Sequence, residues 1–530
     1  VYKRQLQPTT VITAARTITF LKTNIYAPYP LQLLRLIVSE KVLASIDIAQ
    51  VLICKALFAF RLLPGTRRSK RALPLRPDHH VTVFHRFFMD SLGRPWHSDQ
   101  SLRSSAINNQ SPLLHRVLFM LGLVIAGEAI FILPFHVTRF FRPSVMEIFG
   151  LSATELGAVQ GVYGVMAMLA YFPGGPIADR FPARKLMALS LWSTAAGGLY
   201  MSTFPDYRGA ILLWGFFGVS TIILFWAALI RSCRDWGGHT HQGRAYGLLD
   251  AGRGLLGAIL ASLGVLLFSL SFPDGYAAAS EADKTQALRS IILAYAGVTA
   301  AAGVLVWFVI TDGHPRGEPE LDEWSPKTES TSRHIMRVLS MPAVWLQALV
   351  LLCAYVSYKG FDNYTLFAVQ AYGLDEVEAA RIATIGAWVR PFAAIAAGLV
   401  GDRLSASRTI AYLFALLIAS HLFFALTTPI PGAAWVILTN ILLTCIAIYG
   451  FRGLYFALYE EAQVPAAATG TAVGFVSVIG YTPDIFVTLV AGILIDRSPG
   501  LAGHQHFYLF LAAFALIGLA ASVTLARRVR

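Results

Sequence analysis

The chain has 530 residues, 56% of them hydrophobic and only 14% charged, with a formal net charge of +13 and a mean hydropathy of +0.59. Soluble domains carry about a quarter charged residues, so this composition excludes a water-soluble globule and leaves room for about a dozen spans of roughly 20 residues each. The positive charge is no nucleic-acid signal either, because residues 1–112 hold 16 Lys+Arg against five Asp+Glu, whereas residues 113–530 hold 27 against 25.

Residues 1–112 read as a basic leader, a disordered or non-native extension. It lacks the basic start, apolar stretch and small-residue cleavage site of a secretory signal. Ala44–Leu63 is fairly apolar, but Asp47, Lys55 and Arg61 interrupt it. The run Arg67, Arg68, Lys70 and Arg71 suits anionic lipid or RNA. From Leu113 the pattern becomes regular, with apolar runs at about 116–138, 155–177, 186–204, 209–231, 245–270 and 289–311. A polar central loop, 312–340, precedes six more runs at about 342–368, 376–400, 408–428, 433–457, 466–493 and 506–526. The expected fold is therefore all-α, with 12 transmembrane helices in two six-helix halves, 113–311 and 341–530.

One set of loops carries Arg180, Arg184, Lys185, Arg231, Arg234, Arg244, Arg403 and Arg408, and the tail adds Arg527, Arg528 and Arg530. The opposite loops are poorer in cations and include Asp375, Glu376 and Glu378. The positive-inside rule then puts both termini and the central loop in the cytoplasm. Arg139 and Arg142, after the first run, break this pattern. The cysteines Cys54, Cys233, Cys353 and Cys445 are scattered, with no metal spacing and no implied disulfide framework.

The second run ends in Gly175-Pro-Ile-Ala-Asp179-Arg180, followed by Arg184 and Lys185. The eighth ends, 223 positions later, in Gly398-Leu-Val-Gly-Asp402-Arg403, followed by Arg408. This repeat is too long for a solenoid unit and fits two homologous halves of one membrane bundle.

Over roughly residues 113–528 the doubled signature and the six-plus-six pattern resemble the major facilitator superfamily. The resemblance implies a charge-relay network on the cytoplasmic side that stabilises the outward-facing state. By position that role falls to Gly175, Asp179, Arg180 and Arg184, and more weakly to Asp402, Arg403 and Arg408. The chain departs from the family pattern at Pro182, where glycine is common. The family's Gly-Pro antiporter signature in span five is also missing, although Gly247, Gly252, Gly254, Gly257 and Gly264 point to close helix packing there. Proline can open the next helix, where its missing N–H costs little, and the glycine pattern of span five argues against drug–proton antiport.

A charge at the bilayer centre costs about 2.5–3.5 kcal/mol on insertion scales, so each needs a partner or a task. Arg390 lies about 20 Å along span eight, next to Pro391. It suits an anionic substrate group, or a structural carboxylate partner. Arg253 sits one helical turn from Asp250 and can pair with it. Span seven gathers Tyr355, Tyr358, Lys359, Asp362 and Tyr364, and span ten Tyr449, Arg452, Tyr455 and Tyr459, ahead of Glu460 and Glu461. Substrate contact is expected from Arg390, Lys359, Tyr355, Tyr358, Asp362, Arg253 and Arg452. Glu128 and Asp484 are the candidates for proton coupling. His239/His241 and His504/His506 read as loop residues and make no metal site.

These features describe a secondary active transporter that moves a small organic or inorganic anion by alternating access, as a proton-coupled symporter. The preference for an anion rests on Arg253, Lys359, Arg390 and Arg452. A proton-coupled efflux pump for amphipathic compounds, with Glu128 as its key acid, is the alternative; a non-transporting membrane sensor is the third reading. No phosphate-binding loop, nucleophile–base pair or metal cluster suggests an enzyme, and no cofactor is implied. The expected partners are a small solute, protons or another coupling ion, and the lipid bilayer of a bacterial inner membrane, with no nucleic acid. The chain is expected to act as a monomer.

Overall fold

A computed structural model of the chain describes residues 113–238, 242–311, 336, 338–430, 433–455, 457–461 and 466–528. The leader at 1–112 and most of the central loop at 312–340 lie outside the described residues. Among those described, every regular element is helical. Six spans form the first half: α1 (Leu114–Phe140), α2 (Ala153–Arg180), α3 (Ala183–Met201), α4 (Tyr207–Gly237), α5 (Arg244–Leu270) and α6 (Glu281–Val309). The second half comprises α7 (Pro342–Tyr372), α8 (Glu376–Leu404), α9 (Ala406–Leu426), α10 (Ala434–Leu454), α11 (Gly474–Arg497) and α12 (Leu501–Arg528). Eleven of these are long and apolar enough to cross a bilayer. The twelfth, α3, is 19 residues long and begins with Arg184 and Lys185, which dilute its hydropathy.

Local chemistry sets the helix ends. Ser152 and Glu155 form a reciprocal capping box at the start of α2, and Ser280 with Asp283 does the same for α6. The Asp375 side chain caps α8. Two spans are irregular where they meet the other half. A π turn, Ile132–His136, interrupts α1 at Pro134, which has no N–H to give the ladder. In α7 a 3₁₀ turn, Phe361–Asn363, breaks the helix beside Lys359. Large apolar side chains such as Phe172, Leu212, Phe308, Leu426 and Trp435 face outward, as a lipid-facing surface requires.

The halves meet tightly at one end. Cβ atoms added at Gly157, Gly161 and Gly164 of α2 would come within 2.3, 2.6 and 2.6 Å of the α11 backbone at Thr488, Ile485 and Asp484. Small residues thus allow backbone-to-backbone contact between halves. Asp496, near the end of α11, accepts from the Ala153 and Thr154 amides at 3.3 and 2.7 Å, so one half caps a helix of the other. At the opposite end, Gly175, Gly247, Gly398 and Gly474 have nothing within 4 Å of an added Cβ. The bundle is closed on the Arg142 side and parted on the Asp179 side.

Candidate functional site

Two groups of charged side chains line the seam between halves. The first lies toward the parted end. Asp250 of α5 holds two arginines of the second half: Arg390 Nη2 at 3.1 Å from α8 and Arg452 Nη2 at 2.8 Å from α10. Arg390 Nη1 also lies 3.9 Å from Glu128 of α1, and Arg253 Nε lies 3.5 Å from the same carboxylate. Arg253 Nε further donates to the Gly127 carbonyl at 2.9 Å, and its guanidinium lies 5.5 Å from the centroids of both Phe131 and Trp226. Glycines make this packing possible. A Cβ on Gly254 would press on the Arg390 side chain at 3.1 Å, and one on Gly257 would meet Glu128 Oε1 at 2.5 Å. Exposure falls with depth: the Asp250 side chain is 38% exposed, Arg452 28%, Arg390 14% and Glu128 6%. Water therefore reaches this group from the Asp179 side.

The second group is centred on a fully buried pair, Lys359 and Asp362. Arg139 Nε of α1 meets Asp362 Oδ1 of α7 at 2.6 Å, and Lys359 Nζ holds the other carboxylate oxygen at 2.6 Å. Lys359 also lies 3.4 Å from Asp484 of α11, which accepts from the Tyr355 hydroxyl at 3.0 Å. Arg139 donates to Tyr358 at 3.3 Å, and its own carbonyl accepts from Thr365 at 2.9 Å. Lys359 stands 4.8 Å from the Phe135 ring centroid. Two cations and two carboxylates balance here, and the Asp362 and Lys359 side chains are 1% and 2% exposed.

All nine residues singled out for substrate contact or proton coupling thus fall into these two groups. Arg390, Arg253, Arg452 and Glu128 join the first, and Lys359, Asp362, Tyr355, Tyr358 and Asp484 the second. The i,i+3 pairing of Lys359 with Asp362 is present. The expected pairing of Arg253 with Asp250 gives way to a different arrangement: Arg253 turns to Glu128, and Asp250 is taken by arginines of the second half. Arg139 and Arg142 are not loop charges at all. Both are buried, Arg139 against Asp362 and Arg142 donating to Gln160 at 3.1 Å, which removes the exception to the charge pattern. His504 and His506 are likewise no loop residues; both lie in α12, His504 buried against Gln370 at 2.9 Å and His506 exposed. His239 and His241 lie outside the described residues. Sequence reading missed Arg139 as a site residue because nothing local pairs it. Its carboxylate partner is on another helix.

Asp179, Arg180, Asp402, Arg403 and Arg408 are exposed at the parted end, while Gly175 and Arg184 are half-buried. The Arg184 guanidinium lies 5.5 Å from the Trp307 ring centroid.

Residues 117–486 match the family profile of the Major Facilitator Superfamily. The chain belongs to the Major Facilitator Superfamily. It is accordingly an integral membrane transporter rather than an enzyme. The chain is 28% identical over 382 residues to the inner membrane protein YqcE of Escherichia coli (strain K12), covering 71% of this chain and 87% of that protein. It is 26% identical over 419 residues to the inner membrane protein YihN of the same organism, covering 77% and 94%. Its fold is similar to that of a bacterial homolog of the human lysosomal transporter Spinster, in an inward-facing and unoccupied conformation. The TM-score there is 0.63 at 15% identity, covering 79% of this chain and 98% of that one. The nucleoside transporter NupG gives a TM-score of 0.55 at 14% identity, covering 78% and 98%.

Proposed function

We propose that this superfamily member moves a small organic or inorganic anion by alternating access, in symport with protons. Five cations (Arg139, Arg253, Lys359, Arg390 and Arg452) and four carboxylates (Glu128, Asp250, Asp362 and Asp484) make up the two seam groups. One positive charge is left over, which a singly charged anion neutralises. The surplus lies in the first group, where three arginines share two carboxylates. The observation that carries the reading is the partly exposed bridge Arg390–Asp250–Arg452 between halves. An anion entering from the Asp179 side competes with Asp250 for the two arginines, and guanidinium forks suit carboxylate, sulfonate or phosphate oxygens. Taking them from Asp250 loosens the link between halves, which ties binding to the change of state.

Glu128 and Asp484 are the carboxylates assigned to proton coupling, since each touches a cation that a proton would release. By the positive-inside rule the cation-rich loops at the parted end favour a reading in which that end, with both termini, faces the cytoplasm of a bacterial inner membrane. The conformation described is then inward-facing, and the exposed Asp179/Arg180 and Asp402/Arg403/Arg408 clusters are read as the relay that engages in the outward-facing state. The transporter is taken to act as a monomer.

The test is a thermal-shift screen of purified protein, with and without Arg390→Ala, against carboxylates, sulfonates, phosphorylated compounds and lipophilic cations. A ligand at 100 times its Kd stabilises the folded state by about 2.7 kcal/mol. An anion that shifts the parent but not the variant supports the reading. Shifts from lipophilic cations alone, or equal anion shifts in both proteins, overturn it in favour of efflux of amphipathic compounds.

A further inference from the structure

Glu376, the first residue of α8, is buried at 1% exposure on the closed side of the bundle, outside both charged groups. Three donors converge on its carboxylate, all from the first half. The Ser144 amide donates to Oε1 at 3.0 Å, and the Ser144 hydroxyl to Oε2 at 2.5 Å. The Tyr276 hydroxyl donates to Oε2 at 2.9 Å. Ser144 follows α1 in a short helix, Arg142–Phe149, and Tyr276 sits in the turn between α5 and α6. Burial, reinforced by the neighbouring Glu376 charge, pushes the Tyr276 phenol above its ordinary value, so it remains a donor.

We infer that Glu376 is a gating residue of the transport cycle: its ionised carboxylate latches the two halves on the Arg142 side, and its protonation releases them. An ionised carboxylate is acceptor-only and can satisfy all three donors, whereas a protonated one contributes a hydrogen of its own and loses acceptor capacity. Parting the halves strips every one of these bonds at once, because none comes from Glu376's own half. The charged neighbours facing it are few. Glu147 lies on the short helix, and Lys284 of α6 lies 3.8 Å from Glu147, 2.9 Å from Glu281 and 5.3 Å from the Tyr276 ring centroid. The latch is thus made of neutral donors around one carboxylate, unlike the ion-paired seam below it. It rests on alternating access and not on the identity of the solute.

The experiment places spin labels at Thr203 and Thr428, exposed residues on this side of opposite halves, in full-length protein with its four cysteines replaced. Pulsed dipolar distances are read in lipid nanodiscs at pH 8 and pH 5. The parent should show a short separation at pH 8 and gain a longer one at pH 5. Glu376→Gln should show the longer one at both pH values, with the long-to-short ratio up about tenfold, as expected for losing one charged hydrogen bond. Tyr276→Phe, which removes a single oxygen and leaves the carboxylate, should shift the ratio in the same direction. Glu378→Gln, at an exposed carboxylate two residues further on, should match the parent. If Glu376→Gln and Tyr276→Phe both keep the parent's distances and its pH response, Glu376 is not a latch.

Discussion

Arg139 and Asp362 lie 223 positions apart, the same interval that separates the two Gly-x-x-x-Asp-Arg signatures, and their side chains meet at 2.6 Å. In the register set by the signatures they are equivalent positions of the two halves, facing one another across the seam. Identical residues there would repel if charged. Divergence has instead made the pair complementary, and Lys359 with Asp484 extends it into a neutral quartet.

Breaking this quartet should be costly. Asp362→Asn leaves Arg139 without its paired carboxylate and Lys359 with Asp484 alone, and removing one partner of a buried pair costs about 3–5 kcal/mol. Chemical or thermal unfolding in detergent should show that loss. The double variant Arg139→Gln/Asp362→Asn should lose less than the two single losses added together, because neither charge is then abandoned. Additive losses would mean that the pair is not coupled.

Arg390 bridges two carboxylates, Asp250 at 3.1 Å and Glu128 at 3.9 Å, through different guanidinium nitrogens. A lysine there keeps the charge but offers one compact ammonium group. Arg390→Lys should weaken binding of the anion found in the thermal screen by about tenfold, or 1.4 kcal/mol, with the folded state retained. Isothermal titration of parent and variant checks this. Unchanged affinity would reduce the role of Arg390 to its charge alone.

A polar knot in the second half should matter to stability but not to specificity. Ser420 donates to Asn440 at 2.7 Å and contacts Thr444 at 2.6 Å, Asn440 donates to the Ser420 carbonyl at 3.0 Å, and Tyr364 donates to Thr444 at 3.1 Å. Asn440→Ala leaves buried hydroxyls short of partners, at about 1–3 kcal/mol. The expected result is a lower unfolding midpoint with an unchanged anion Kd.

The spans were legible because lipid demands continuous apolar runs, and four glycines of α5 were legible as packing positions because only close neighbours require them, whereas Gly247 has nothing within 4 Å of an added Cβ. Gly252, Gly254, Gly257 and Gly264 do meet Val124, Arg390, Glu128 and Tyr295. Lys359 with Asp362 was legible since a helix places residues three apart on one face. The same rule misled for Asp250 and Arg253. Spacing along one helix says nothing of what α1, α8 and α10 bring to it, and those helices supply the stronger partners. Arg139 looked like the end of a span because the π turn at Pro134, which carries α1 onward, leaves no hydropathy signal.

The glycine face of α2 has a practical consequence. With backbone pressed on backbone at Gly157, Gly161 and Gly164, there is no slack for even one methyl group. A bulkier side chain at Gly161 would work as a shim, propping that end ajar while leaving every charged group of the seam chemically intact. It offers a way to hold the transporter in its opposite state without touching the chemistry that recognises its cargo.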